Sequence, residues 1–427
     1  MKLIKSRFDY KWVILALCFL MEFLCLGFCS SNVGLFTVPV TEALKIDRLT
    51  YTYWSSIRYA VQVFVALYFG ALVNRFGVKK MACFGTLALS GATVARAMAT
   101  NVWHIYLAGA LHGLGIVFCG GTMASTVMRR WFKQDIGKYT GIVMSANGVG
   151  GAIAAQIISP IINNGEVFGY RKAYWLSAAI SLVITVIIVI FLRDNSVDSP
   201  VVASGKKKQA SRGVLWAGVE YTAVKKKAYF YIAAALVFLT GISLQSIGGI
   251  TIVYMSDLGV SAAFIATLST VANLTLAFSK FGVGASYDKW GLRVTLLICQ
   301  FSGLATFILK GSLTNSTLGL VMAMTANVLS TFAMPLETVM IPLLTNDLYG
   351  SAAYTKVLGI FMAMNSLGLC LGSPLGEVLR KLTGDYRICF WLFSAIMIVV
   401  IIAFQFAIRA ANRDKAAFLA EAEPVET

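Results

Sequence analysis

The sequence predicts an all-α membrane protein: twelve transmembrane helices in two parallel-repeated six-helix bundles. Three observations lead there. First, 58% of the 427 residues are hydrophobic and 13% are charged, with a mean hydropathy of +0.77. Roughly a quarter of an ordinary soluble chain is charged. Second, the apolar residues gather into runs long enough to cross a ~30 Å hydrocarbon core as helices. Third, four patterns occur twice, in the same order, at offsets of 214 to 218 residues.

The runs lie at about 12–40, 51–73, 81–98, 102–128, 139–163, 173–192, 228–255, 262–286, 294–312, 317–345, 354–378 and 388–408. Helices satisfy their own backbone groups, which lipid cannot do. The longest polar interval, 193–227, holds "GKKKQ" and "VKKK" and divides the runs six and six. The expected organisation is a first bundle at 1–192, a cytoplasmic linker at 193–227, a second bundle at 228–408 and a cytoplasmic tail at 409–427, with "AEAEPVET" as a solvated end. The first run follows a basic start and is not closed by a small-residue cleavage site, so it reads as a retained helix.

The net charge of +17 does not point to nucleic acid, because the basic residues sit in short loops between apolar runs. With both termini on one side, 25 of the 36 Lys and Arg fall on that side and 9 on the other; Arg58 and Lys280 lie inside runs. Basic residues concentrate on the cytoplasmic side, so both termini are expected there, in a plasma (inner) membrane. All eight cysteines fall in apolar runs without metal-ligand spacing and read as core residues. There is no phosphate loop and no Cys/His metal pattern; the expectation is no enzyme, no cofactor and no metal.

The repeats are specific. "GALVNRFGVKK" from Gly70 and "GASYDKWGLR" from Gly284 both read G-x-x-x-[ND]-[RK]-[FW]-G, at an offset of 214. Gly27 and Gly34 recur as Gly241 and Gly248. "GIVMSANGVG" from Gly141 matches "GIFMAMNSLG" from Gly359, and "YRKAYWLSAAI" matches "YRICFWLFSAI".

Twelve spans, a parallel repeat and this loop motif resemble the major facilitator superfamily. "SSNVGLFTVPVTEAL", "YLAGALHGLGIVF", "RRWFKQDIGKYTGIVMSANGVGGA" and "GSPLGEVL" are similar to its monocarboxylate transporters and oxalate/formate antiporters. The resemblance implies two bundles rocking about a midplane site, acting as a monomer. It implies gating residues Gly70, Asn74, Arg75, Gly77, Arg129, Arg130, Gly284, Asp288, Lys289 and Gly291, whose charges join the two halves on one face when the site opens on the other. The acidic residue of the first motif is Asn74 here, while Asp288 is kept. Positive-inside topology alone also accounts for the basic residues among them.

A lysine inside a spanning helix costs about 2.5–3.5 kcal/mol on insertion scales, so Lys280 needs a cavity or a partner. It stands four residues before Gly284, where the oxalate/formate antiporters carry a basic residue, so the resemblance implies an anion-binding role. Their second cation, in the eleventh span, is absent around Ala363 and Met364, which favours a monoanion over a dianion. The acid that the monocarboxylate transporters carry one turn earlier is Leu276 here. Lys280 can also snorkel toward the near face, about 12 Å away.

Glu337, in "FAMPLETVM", lies at similar depth and is a candidate partner. With Glu22 and His112 it forms the proton-coupling set; bonding to backbone freed by Pro335 is the plainer role for Glu337, and packing for His112. Arg58 is expected to snorkel outward or steer anions. The uncharged candidate ligands are Asn32, Asn147, Gln245 and Asn365, with Phe118 where relatives have a tyrosine. Asn147 and Asn365 are repeat equivalents; interhelical hydrogen bonds account for such residues as well. The expected activity is secondary transport of small organic anions, monocarboxylates first, with protons or a counter-anion. Efflux of a lipophilic compound by proton antiport, or a sensor on the same fold, are the alternatives.

Overall fold

A computed structural model describes residues 10–132, 136–164, 166–193 and 220–422. Most of the 193–227 linker, with its "GKKKQ" cluster, and the last five residues lie outside this set. Every regular element among the described residues is helical: α1 (Lys11–Glu22), α2 (Thr37–Leu44), α3 (Arg48–Phe76), α4 (Val78–Ala97), α5 (Val102–Cys119), α6 (Gly121–Trp131), α7 (Ile136–Ile162), α8 (Gly169–Phe191), α9 (Tyr221–Val224), α10 (Ala228–Asp257), α11 (Ala262–Gly311), α12 (Thr317–Ala333), α13 (Ile341–Thr383) and α14 (Arg387–Ala422).

Ten helical stretches among the described residues are long and apolar enough to cross a membrane. The 50 residues of α11 would extend about 75 Å as one rod, more than twice a hydrocarbon core. The helix turns at Gly291, with φ 78° and ψ 177°. Gly77, its repeat equivalent, separates α3 from α4 with φ 87° and ψ 155°. The terminal glycine of both motif copies therefore takes a backbone conformation that side chains disfavour. Gly350 breaks α13 similarly, at φ 69°. The helix α4 is not among the ten, because Lys79, Lys80 and Arg96 lower its apolar content.

Two apolar runs are not single α-helices. The first passes from α1 into a π-helical turn at Phe23–Phe28 and a 3-10 turn at Val33–Phe36. The tenth passes from α12 into a π-helical turn at Leu336–Met340. Such turns insert one residue per turn and re-aim side chains, often at functional sites. Glu22 immediately precedes the first and Glu337 lies inside the second. At the other end, α14 continues to Ala422, past the expected end of its span at 408. "NRDKAAFLAEA" holds good helix formers and no Gly or Pro, and Lys415 Nζ reaches Asp347 at 3.3 Å.

The repeat is present in the packing. A Cβ built at Gly150 would lie 2.5 Å from the Phe23 carbonyl oxygen and 3.0 Å from Gly27 Cα; one at Gly368 would lie 2.3 Å from the Phe238 carbonyl oxygen and 3.1 Å from the Gly241 carbonyl carbon. Only glycine permits these approaches, α7 against the first run's π turn and α13 against α10. Between the halves, α7 meets α11 where a Cβ at Gly148 would fall 2.3 Å from the Asn273 carbonyl oxygen.

The two ends of the molecule differ. On one face, Arg48 holds Asp257 through two bonds of 2.6 and 2.8 Å, and Lys381 reaches Asp47 at 3.0 Å. These pairs tie the first half to the second. Just below, Ser56 Oγ donates to the Cys370 carbonyl at 2.6 Å. On the opposite face, Asn74, Arg75, Asp288 and Lys289 are exposed, and no ion pair among the described residues joins them. Open space lies beside Gly70, Gly284, Gly291 and Gly359, where a Cβ would meet nothing within 4 Å. Ion pairs thus latch the Asp47 face, and none among the described residues joins the motif residues on the other.

Candidate substrate-binding site

The site is built outward from Pro335. A proline donates no backbone N–H, so the carbonyl one turn earlier, that of Thr331, lacks its helical partner. Ser279 Oγ of α11 donates to it at 2.7 Å. This bond pins α11 to α12 one residue before Lys280, beside the π turn that carries Glu337.

Lys280 is partly buried. Two carboxylates act on its charge, Glu22 and Glu337, one from each half. Neither forms a direct ion pair with it among the described residues. Both oxygens of Glu22 and Oε1 of Glu337 are buried without a hydrogen-bond partner. Glu337 is also reached by a second cation, Arg58. The backbone-bonding role expected for Glu337 is taken instead by Ser279.

Arg58 does not snorkel outward. It is 8% exposed, with its guanidinium carbon 4.2 Å from the Tyr59 ring centroid and 5.6 Å from that of Trp54. Tyr59 donates to Gln245 Oε1 at 2.9 Å, and Gln245 Nε2 donates to Ser373 Oγ at 3.2 Å. Arg58, Trp54, Gln245, Ser373 and Glu377 line a cavity of about 40 Å³ between the halves. Glu377, buried, accepts from Arg380 and from Tyr386.

His112 is buried and bonded at both nitrogens. Arg96 donates to Nδ1 at 2.9 Å, which places the ring proton on Nε2; that nitrogen donates to Ser30 Oγ at 2.9 Å, and Ser30 donates onward to the Cys25 carbonyl at 2.6 Å. Arg96 itself lies 4.3 Å from the Trp54 ring centroid. Here His112 orders a buried network.

The remaining predicted ligands scatter. Asn147 Oδ1 lies 3.1 Å from Ser31 Oγ. Asn32 Nδ2 donates to the Gly151 carbonyl at 2.7 Å, while its oxygen has no partner. Asn365 lines a separate apolar pocket within the second half, beside Thr240, Leu336 and Phe404. Phe118 is packed against Phe69 and Phe84, with ring centroids at 5.9 and 6.0 Å. Of the gating set, Gly77 and Gly291 shape their turns as described, Arg130 is partly buried, and the side chain of Arg129 lies outside the described set.

The sequence reading missed Arg96 and Lys310, counting both with loop charges. They are repeat equivalents at the motif's offset of 214, and both are buried, Lys310 bonded to Thr251 Oγ1 at 2.9 Å. Extending the repeat past Gly77 and Gly291 would have found them. Ser279 was also missed; the signal was Pro335, which demands a donor from elsewhere.

Long apolar helices, a cleft between two halves and a cation within a spanning segment define a membrane transporter of small organic solutes. The sequence profile of the Major Facilitator Superfamily matches residues 15–247 and again 233–426; the chain belongs to that superfamily. Its relatives are transporters, not enzymes. It is 23% identical to monocarboxylate transporter 13 of Rattus norvegicus over 391 residues, 91% of this chain and 86% of the relative. It is 26% identical over 238 residues to the sialic acid transporter NanX of Escherichia coli (strain K12), 54% of each. Among solved structures, the nucleoside transporter NupG superposes with a TM-score of 0.72 at 15% identity, covering 94% of this chain and 99% of that one. A D-xylose-proton symporter gives 0.71 at 12% identity, covering 92% and 97%. These likenesses establish the fold.

Proposed function

We propose that the protein is a secondary transporter of small organic anions, monocarboxylates first, working by alternating access with proton symport or anion exchange. Its twelve crossings form two six-helix bundles at 1–192 and 228–408, once the turn at Gly291 is taken as a loop and α4 as a span. Both termini and the linker lie in the cytoplasm of a cell whose plasma (inner) membrane holds the protein as a monomer. The motif face is then cytoplasmic, and the conformation described is open inward.

The observation that carries this reading is Lys280, a cation within a spanning segment that no acid neutralises directly. Two carboxylates with unpartnered oxygens, both of Glu22 and Oε1 of Glu337, act on it from opposite halves. A substrate carboxylate takes the place that neither fills. Protonation of Glu337 removes a competing charge and releases the lysine to the substrate. The similarity to monocarboxylate transporters supports the substrate class.

The test is uptake of labelled carboxylates into proteoliposomes, with and without a pH gradient, by the parent and by Lys280→Ala. A charge-assisted hydrogen bond contributes about 1.5–3 kcal/mol, roughly ten- to a hundredfold in affinity. The variant should lose that much while melting normally. Parental binding by Lys280→Ala would reduce the lysine to a snorkelling residue and remove the anion assignment.

A further inference from the structure

Arg58 is the cation that the sequence reading left at the edge. It lies on α3 in the first half, opposite Lys280 on α11 in the second. Its Nε is buried with no hydrogen-bond partner, and no ion pair joins it among the described residues. The rings of Trp54 and Tyr59 lie beside the guanidinium, and neither supplies an acceptor to Nε. An arginine that merely snorkels puts its head in water; this one is withdrawn from it. Its charge reaches Glu337, the same carboxylate that Lys280 reaches. The two cations therefore flank one acid across the interface between the halves.

Arg58 also lines the small cavity toward the latched face, with Gln245, Ser373 and Glu377, whose carboxylate is already held by Arg380 and Tyr386, completing a polar wall. At about 40 Å³, that space has room for a small polar group such as a hydroxyl, carbonyl or carboxylate end. An arginine edge offers parallel donors to an oxygen acceptor. The missing eleventh-span cation is thus compensated from α3.

We propose that Arg58 is a second ligand-binding residue, and that the substrate is a small carboxylate whose far end carries an oxygen acceptor. The carboxylate lies on Lys280 and the acceptor on Arg58. The inference rests on the reading of Lys280 as the carboxylate anchor. A ligand held at both ends spans α3 and α11, so its binding draws the two halves together.

Equilibrium binding to the full chain in nanodiscs tests this, using short ω-hydroxy acids, the matching dicarboxylates and their unsubstituted parent acids. The parent protein should bind at least one acceptor-bearing acid about tenfold more tightly than its plain parent, the scale of one hydrogen bond to a charged group. Arg58→Gln should erase that ratio, whatever common change it makes to the affinity for all the acids. Arg58→Lys keeps charge without the fork and should reduce the ratio; it is the variant to read if Arg58→Gln does not fold. An unchanged ratio in the folded variant, or no ratio in the parent protein, overturns the proposal. Lys280→Ala should weaken every acid in the panel. If it weakens none, the carboxylate-anchor reading fails, and that outcome differs from a failure of Arg58 alone.

Discussion

Ser279 Oγ lies 2.7 Å from the Thr331 carbonyl oxygen, the oxygen that Pro335 leaves without a helical donor. One imperfection in α12 is thus satisfied by a neighbouring helix, and the residue after the donor is Lys280. The freed carbonyl locates the lysine beside the π turn at Leu336–Met340, so the proline, the glutamate and the lysine form one local arrangement.

This relationship predicts a coupling. Ser279→Ala should destabilise the protein by about 1 kcal/mol, the ordinary net worth of a hydrogen bond. In a Pro335→Ala background the Thr331 carbonyl regains an intrahelical donor, and the same serine change should be nearly neutral. The difference between the two backgrounds, measured by denaturation in detergent, isolates the pairwise term. Equal losses in both would show that the serine serves its own helix.

Glycine substitutions should sort by what a Cβ meets. Gly148→Ala places it 2.3 Å from the Asn273 carbonyl oxygen, and Gly368→Ala 2.3 Å from that of Phe238. Backbone cannot step aside as a side chain can, so each should cost about 1–3 kcal/mol. Gly359→Ala meets nothing within 4 Å and should be neutral. Gly148 joins the two halves and Gly368 packs within one, so only Gly148→Ala should also slow exchange between open states. Comparable melting of all three would contradict the close packing.

Two sets of charges should pull the conformational equilibrium in opposite directions. Breaking the Arg48–Asp257 pair with Arg48→Ala should favour opening of the Asp47 face. Asn74→Asp should place a second acid on the motif face, help to close it, and so favour the same state. Both effects should be modest, below about 1 kcal/mol each, because these groups are partly or fully solvated. Accessibility of a cysteine introduced near Gln245 reads the shift; no change, or a change the other way, counts against the latch.

The latch should also be insensitive to pH over the range where transport is measured. Burial raises the carboxyl of Asp47 slightly, but the Lys381 ammonium, aided by the nearby Leu49 and Thr50 amides, outweighs it and holds it below the ordinary value. A depressed carboxyl stabilises the paired state above its unfolded pKa of about 3.9 and loses that contribution only as pH falls through the folded value. From about pH 5 to 8 the pair stays charged. Accessibility of the Asp47 face should be flat there in the ligand-free protein, and a step within that window would implicate a different group.

How much of this was legible follows from physical range. Hydrophobic runs and the doubled motif are local, and the sequence shows them directly; that the motif's last glycine takes a positive φ appears only in the structure. The π turns were not legible, since one inserted residue leaves no compositional trace, yet they decide where Glu22 and Glu337 point. Arg96 and Lys310 sit near span ends, where charge reads as loop, and only the repeat reveals them; Arg58 was read inside its span, but only its packing against Trp54 and Tyr59 shows it withdrawn from water. Phe118 was assigned from the resemblance and Asn365 from the repeat, and neither source shows the packing within one half that the structure gives each. Ser279 and Thr331 are 52 residues apart, and no pattern of either residue alone announces their contact.

The last prediction concerns Glu337. It lies within reach of Lys280 and Arg58, with Oε1 lacking any hydrogen-bond partner, so it competes with a substrate anion for the same cations. Glutamine has nearly the same shape and no charge. Glu337→Gln should therefore bind carboxylates about tenfold more tightly, the scale of one charge-assisted interaction. It should also be unable to use a proton gradient, because the group that gains the proton is gone. In proteoliposomes it should exchange labelled for unlabelled carboxylate but should not accumulate it when the outside is acidified. Glu22→Gln, which removes a charge acting on Lys280 alone, separates the two acids: if it loses accumulation and Glu337→Gln retains it, the coupling residue is Glu22. Accumulation by both variants would leave anion exchange as the mode of transport.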